Sequence, residues 1–269
     1  MDTNMPRFLS RLKYMASAAA LCIGLSACAS TTPKTTAGAQ EVYDPIEPVN
    51  RAVFVVNDTL DTYLLRPVAY GYDYITPKPI QNNIGNFLSN LSTPVTLAND
   101  LLQLEFTRAR TTMARFLINT SFGFGGIGDL ASEMGFEKHK EDFGQTMAVY
   151  GVDDGPFLML PLLGPSNLRD LTGKVADYFA DPLNFTNDDD WENVFYIKDG
   201  VSIVHKRAQV LGPLDDMKES SIDYYASIRS LYKQTRDASI KNMDATPNQT
   251  QAESYDELDM APVSDDEIQ

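Results

Sequence analysis

The chain has 269 residues, of which 43% are hydrophobic, 10% aromatic and 22% charged, the make-up of an ordered chain rather than a collagen-like or disordered one. Lys and Arg number 22 against 37 Asp and Glu, a formal net charge of −15. So acidic a surface repels phosphate backbones, which excludes sequence-independent nucleic-acid binding, and it disfavours Coulombic docking to anionic lipid.

Arg7, Arg11 and Lys13 form a basic n-region ahead of an apolar stretch from Met15 to Leu25. That stretch falls short of the roughly 20 residues that cross a bilayer and reads as a secretory signal. It ends in Leu25-Ser26-Ala27-Cys28, which is similar to a bacterial lipobox, whose cysteine is acylated and becomes the new N-terminus. The alternative is a secreted protein cut after an A-x-A-like site. Cys22 leaves with the signal, so the mature chain keeps Cys28 alone, and a lone thiol forms no internal disulfide. Three acyl chains, at about 0.8 kcal/mol per buried CH₂, hold far more firmly than one myristoyl group. Ala29 follows the cysteine where an Asp would signal inner-membrane retention, so the expected site is the periplasmic face of the outer membrane. The expected organisation is a signal peptide at 1–27, a lipidated tether at 28–42, one helical domain at 43–242 and a disordered acidic tail at 243–269. Seven acidic residues and no Lys or Arg between Pro247 and Gln269 support the last assignment.

Within the body, helical spacing dominates. Val53, Val56, Leu60 and Leu64 share one stripe, and Ile80, Ile84, Phe87, Leu88 and Leu91 share another. Thr93-Pro94 predicts an N-cap followed by proline at the first helical position, opening a helix through Leu97, Leu101 and Leu104. A further helix carries Ala109, Met113, Phe116 and Leu117. Strand-like alternation is confined to Thr146–Val152. Val194, Ile197, Val201, Val204, Ala208 and Leu211 lie on one helical face, stopped by Gly212-Pro213. Ile222, Tyr225, Ile228 and Tyr232 mark a last helix. The fold class is therefore all-α.

Two uncharged stretches interrupt the pattern. Pro156–Leu168 holds Pro161 and Pro165 among Phe157, Leu160 and other apolar residues, so it forms neither a long helix nor a central strand. It either packs on the body or dips into lipid. From Ile80 to Asn99 there is no charge at all. Asn83, Asn86 and Asn90 there fall at i, i+3 and i+7, opposite the apolar stripe, either as a solvated face or as neutral amides facing lipid or a partly dehydrated channel.

Catalytic constellations are scarce. Gly123, Gly125, Gly126 and Gly128 sit in a G-x-G-x-x-G pattern, but helical sequence precedes it and no βαβ unit follows, so a tight turn or hinge between helices is expected rather than a dinucleotide site. Asp129 beyond it is placed to cap the next short helix. His139 and His205 are far apart, G-x-S-x-G is absent, and Ser166 reads as a turn or N-cap rather than a lipase serine. Asp188-Asp189-Asp190 lacks the glycine and terminal glutamate of an EF-hand, so no metal site is expected.

The run Tyr43-Asp44-Pro45-Ile46-Glu47-Pro48-Val49-Asn50-Arg51, followed by Phe54 and Asn57, resembles the MlaA/VacJ family of phospholipid-handling lipoproteins. The resemblance continues through Arg66-Pro67-Val68-Ala69, Asn83 with Asn86-Phe87, Arg115-Phe116-Leu117-Ile118-Asn119-Thr120, Gly125-Gly126, Phe143-Gly144-Gln145-Thr146, Tyr150-Gly151-Val152, Gly155-Pro156, Leu160-Pro161 and Leu168-Arg169-Asp170, as far as the Arg207-Ala208 helix. It implies an all-helical ring in the inner leaflet of the outer membrane around an amphipathic channel. Through that channel, mislocalised phospholipid would pass from the outer leaflet to a periplasmic lipid-binding shuttle, and the ring would associate with a trimeric porin. Such a role uses no catalytic residue, cofactor or metal. With Cys28 as lipidation site, the channel candidates are Phe54, Asn57, Asn83, Asn86, Asn90, Phe157 and Leu160. The competing functions are a lipoprotein that only scaffolds porins and a lipid hydrolase.

Overall fold

The structure, a computed structural model, describes residues 42–181 and 189–242, with side chains in the second segment from Ile197 onward. The signal, Cys28, the tether up to residue 41, Asp188 and the acidic tail lie outside the described residues. Helix α1 (Glu47–Leu60) opens on Glu47-Pro48, where proline's missing N–H costs nothing and an acidic side chain meets the positive helix end. It runs without a break into a π-helical segment, Asp61–Leu65, and then α2 (Arg66–Ile75). Pro67 stands just past the π segment. It has no N–H for the Tyr63 carbonyl, and the wider turn makes room for its ring.

Helix α3 spans Lys78–Leu102 with Pro94 inside it, so the break expected at Thr93-Pro94 does not occur. Asn90, Thr96, Asn99 and Asp100 are buried on both sides of the proline, and packing along the whole helix overrides the local stop signal. Helix α4 (Phe106–Ser121) returns against α3, followed by the short α5 (Leu130–Glu133) and α6 (Phe143–Val149). The strand expected at Thr146–Val152 is mostly this last helix, set by Asp142, whose carboxylate accepts from the Gln145 N–H at 2.9 Å. A hairpin of β1 (Phe157–Leu160) and β2 (Gly164–Asn167) pairs Phe157 with Asn167 and Leu160 with Gly164. Both strands are edges, which is why Pro165 is tolerated in one. Helices α7 (Leu168–Ala180), α8 (Asp189–Gln209), α9 (Leu211–Ser220) and α10 (Tyr224–Ile240) complete the chain. Gly212-Pro213 falls in the first turn of α9 rather than ending α8.

The hairpin is fastened by side chains standing in for a third strand. The Asn50 amide donates to the Phe157 carbonyl at 2.9 Å and accepts from the Met159 N–H at 2.9 Å. One heptad later, Asn57 donates to the Leu160 carbonyl and accepts from the Leu162 N–H, both at 2.9 Å. Each amide supplies the donor and acceptor that a neighbouring backbone would, and so satisfies the open edge. Phe157 and Met159 turn inward onto Tyr225, with Val53, Phe54, Ile228 and Tyr232 around them.

Elsewhere the interior is polar. Among the described residues, the buried apolar set is eight residues, six of them alanine, methionine or leucine, whereas nineteen buried residues are polar or charged. Thirty-eight large hydrophobics of the described residues are exposed, among them Tyr74 at 92%, Phe124 at 88% and Leu162 at 78%. A water-soluble domain has the opposite sorting, and exposed apolar surface on this scale marks a partner or a membrane. No described helix is long and apolar enough to cross a bilayer.

Charged clamps hold the helices instead. Arg207 on α8 takes Asp61 in the π segment at 2.8 and 3.0 Å, and Arg66 takes Asp215 on α9 at 2.8 Å. Arg236 on α10 grips Asp142 with two contacts of 2.6 Å and reaches Asp170 at 3.0 Å. At the α6–α7 crossing, a Cβ on Gly173 would lie 2.4 Å from the Gly144 nitrogen. Gly173→Ala therefore forces the two helices apart and should lower stability by about 1–3 kcal/mol, read as a fall in the thermal midpoint. Asn50→Ala strands the Phe157 carbonyl and Met159 N–H and should cost about 1–3 kcal/mol by the same measurement.

Candidate functional site

An open cavity of about 830 Å³ lies between α3 and α8, within the roughly 300–1,000 Å³ typical of ligand sites. Helix α3 offers it Asn82, Gly85, Asn86, Ser89 and Ser92, and α8 offers Lys198, Asp199, Ser202, His205, Lys206 and Gln209. Both sets recur at three- and four-residue spacing, as one face of each helix requires. The segment between α5 and α6 adds Lys138 and Lys140, and Leu88, Leu91 and Val210 give the wall some hydrocarbon. The lining is thus amphipathic.

A smaller polar notch adjoins it, sharing Asn86, Ser89, Ser92, Asp129, Lys138 and Lys140 and reaching Asn90, Thr93, Thr96, Thr112, Arg115, Asn119 and His139. Its floor is rigid. Arg115 forks onto Asp129 at 2.8 and 2.9 Å, and Asn119 donates to the same carboxylate at 2.9 Å while accepting from the Ala131 N–H. Burial alone would raise the Asp129 carboxyl, but the hydrogen bonds from Asn119, Ser132 and Arg115 outweigh it and hold its pKa at about 2. Asp129 also caps α5 through the Ser132 N–H, as its place in the sequence led one to expect.

The glycine pattern forms the turn between α4 and α5, with Gly125 and Gly126 at φ of 72° and 95°. A Cβ on Gly126 would fall 2.4 Å from that of Asn90. The turn thereby closes on α3, where the Asn90 amide donates to the Thr120 hydroxyl at 3.0 Å and the Gly125 carbonyl at 3.2 Å. A helix precedes the turn in place of the strand that a dinucleotide fold uses.

Of the channel candidates, Asn86 lines the main cavity and Asn86 and Asn90 the notch. Asn83 is exposed on α3 outside both linings. Phe54, Asn57, Phe157 and Leu160 belong to the hairpin junction, where Phe157 is 1% exposed and Asn57 is spent on the hairpin backbone. Packing, rather than lining, is what the structure gives these four. On α8 the sequence signal for Lys198, Ser202, Lys206 and Gln209 is a polar repeat beside the apolar stripe, whereas Lys138 and Lys140 lie on a separate segment with no such repeat.

Two polar clusters have the residue types of hydrolases without their geometry. Ser166 is fully buried, with Lys174 Nζ at 3.3 Å, and the cap of α7 is its neighbour Asn167, which accepts from the Asp170 N–H at 2.7 Å. No substrate ester reaches a serine sealed in that way. The Thr112 hydroxyl donates to buried Asp100 at 2.6 Å, and both meet the same His139 nitrogen, at 3.1 Å in each case. A nucleophile–base–carboxylate relay uses the two ring nitrogens separately.

The model of the MlaA lipoprotein family matches residues 42–239. The chain belongs to this family. Among MlaA relatives, the intermembrane phospholipid transport system lipoprotein MlaA of Haemophilus influenzae is 33% identical, over 83% of this chain and 89% of its own. The Escherichia coli protein of the same description is 33% identical over 72% and 77%. An uncharacterized protein of Rickettsia typhi is 40% identical over 76% and 80%. A solved chain from work on the structural basis for maintenance of bacterial outer membrane lipid asymmetry superposes with a TM-score of 0.65 at 34% identity, covering 73% of this chain and 98% of that one. The MlaA ring of helices, with a single small hairpin among the described residues, is accordingly the fold seen here.

The Asp129 clamp gives a pH-dependent expectation. A carboxylate whose folded pKa lies below its ordinary value near 3.9 adds stability above that value and loses it as pH falls towards about 2. Urea midpoints of the wild type and Asp129→Asn should be well separated at pH 7 and converge between about pH 4 and 2.

Proposed function

We propose that this chain takes mislocalised phospholipid from the outer leaflet of the outer membrane and delivers it to a periplasmic carrier, with the α3–α8 cavity as the passage. The observation that carries this reading is the sorting of side chains: hydrocarbon outward, amides, hydroxyls and charges inward. A lipid meets both halves of itself in such a body, tails against the exposed apolar rim and headgroup in the polar cavity. Headgroup movement across hydrocarbon is slow because its hydration is lost, and amides and hydroxyls on α3 return part of that hydration along the way. The transport names of the H. influenzae and E. coli relatives agree with this role. Anchorage through Cys28 at the periplasmic face, and a porin trimer as companion, complete the proposal. No bond is made or broken in it.

Ser202 and Ser89 face the cavity, so Ser202→Trp or Ser89→Trp would obstruct it without touching the hairpin or the Arg207 clamp. Cells carrying either variant in place of the wild type should accumulate outer-leaflet phospholipid, read by an outer-leaflet acylation assay and by detergent sensitivity, with protein level unchanged. Surface phospholipid no different in cells lacking the protein altogether would defeat the reading. Cys28→Ala should release the chain from the membrane fraction and give the same lipid phenotype.

A further inference from the structure

Seven charged side chains line the main cavity, and they do not cancel. Asp129 is committed to Arg115. Lys198 lies between Asp181 at 3.9 Å and Asp199 at 3.5 Å. Lys138, Lys140 and Lys206 make no ion pair with any described residue. Three ammonium groups outside any ion pair thus face one space, with the Asp129 charge acting on Lys138 and the Asp142 charge on Lys140 only at longer range, in a chain whose net charge is −15. They also feel one another: burial, Lys206 and Lys138 together push the Lys140 ammonium below the ordinary lysine range. Beside them the wall is neutral and rich in hydrogen-bonding groups, from Asn86, Ser89 and Ser92 on α3 to Asn90, Thr93 and Thr96 in the adjoining notch.

From this arrangement we infer that the cavity selects lipids whose headgroup carries net negative charge, a phosphodiester on Lys138, Lys140 and Lys206 with a polyol end against the amides and hydroxyls of α3. Phosphatidylglycerol has both parts. Its phosphate relieves the repulsion among the lysines, and its hydroxyls match donors and acceptors that carry no charge. Phosphatidylethanolamine brings an ammonium into the same space, where every lining carboxylate already has a cationic partner. The inference rests on the transport reading above and adds to it the class of lipid preferred.

The test uses the full lipidated chain in detergent, mixed with equal amounts of phosphatidylglycerol and phosphatidylethanolamine, and quantifies the lipid retained after exchange by mass spectrometry. The wild type should retain phosphatidylglycerol over phosphatidylethanolamine by about five- to tenfold, the size of a few partly solvated charge-assisted contacts. The preference should narrow at 1 M salt, where the Debye length is about 3 Å. K138Q/K140Q/K206Q should bring the ratio near unity, with phosphatidylglycerol retention falling further than that of phosphatidylethanolamine, and K138R/K140R/K206R should keep the preference. The circular dichroism and thermal midpoint of both triple variants report that they fold.

Equal retention of the two lipids by the wild type, or an undiminished preference in the Gln variant, overturns the headgroup inference and leaves the transport reading standing. Retention of neither lipid removes the transport reading and the inference with it. A competition arm with inorganic phosphate separates the remaining source of the same chemistry. Displacement of phosphatidylglycerol by phosphate at equimolar concentration would make this a free-phosphate site and overturn the lipid assignment.

Discussion

An amide, hydroxyl or charge taken out of water costs several kcal/mol unless a partner replaces the water, and this protein fills its interior with such groups. The whole fold depends on their finding one another. Asn50 and Asn57 complete the edge of the hairpin, Arg115 closes on Asp129, Arg207 on Asp61, and Arg236 on Asp142 and Asp170. Because these contacts bind helix to helix, the apolar side chains are not needed inside. They stand on the outer surface, where they can meet hydrocarbon.

Such construction differs from an oily core in its response to change. A methyl group removed from an apolar core leaves a small void, whereas one partner removed from a buried polar pair leaves the other stranded, with no solvent to take its place. The clamps also link elements distant in sequence: Arg51 at the start of α1 reaches Asp223, the cap of α10, at 2.6 Å. The apolar clusters that remain are local, one beneath the hairpin and one where Ala69, Ala208 and Leu211 meet.

Much of this was legible in the sequence where local chemistry decides. Helical periodicity gave most of the helices, the uncharged run from Ile80 to Asn99 marked the helix that faces the cavity, and the capping role of Asp129 followed from its place after the glycine turn. Local patterns say less where distant packing decides. Pro94 looks like a helix start until α3 is seen buried on both sides of it. Asn57 and Phe157 meet the hairpin backbone and Tyr225, partners more than sixty positions away that no local pattern reveals. The lysines of the cavity were invisible for the same reason, since only the folded chain brings Lys138 and Lys140 to the face that carries Lys206.

The π segment at Asp61–Leu65 has a consequence for how this chain can vary. Each residue in an α-helix advances about 100° around the axis, so the wide turn holds an extra step that sets the rotational phase of everything after it. Loss of a single residue there would leave a longer, more regular helix and a worse protein. The downstream half would swing by more than a quarter turn, carrying Arg66 off Asp215 and exchanging its greasy flank for its wet one. Length in this short stretch is therefore constrained more tightly than composition, an unusual condition for a surface helix.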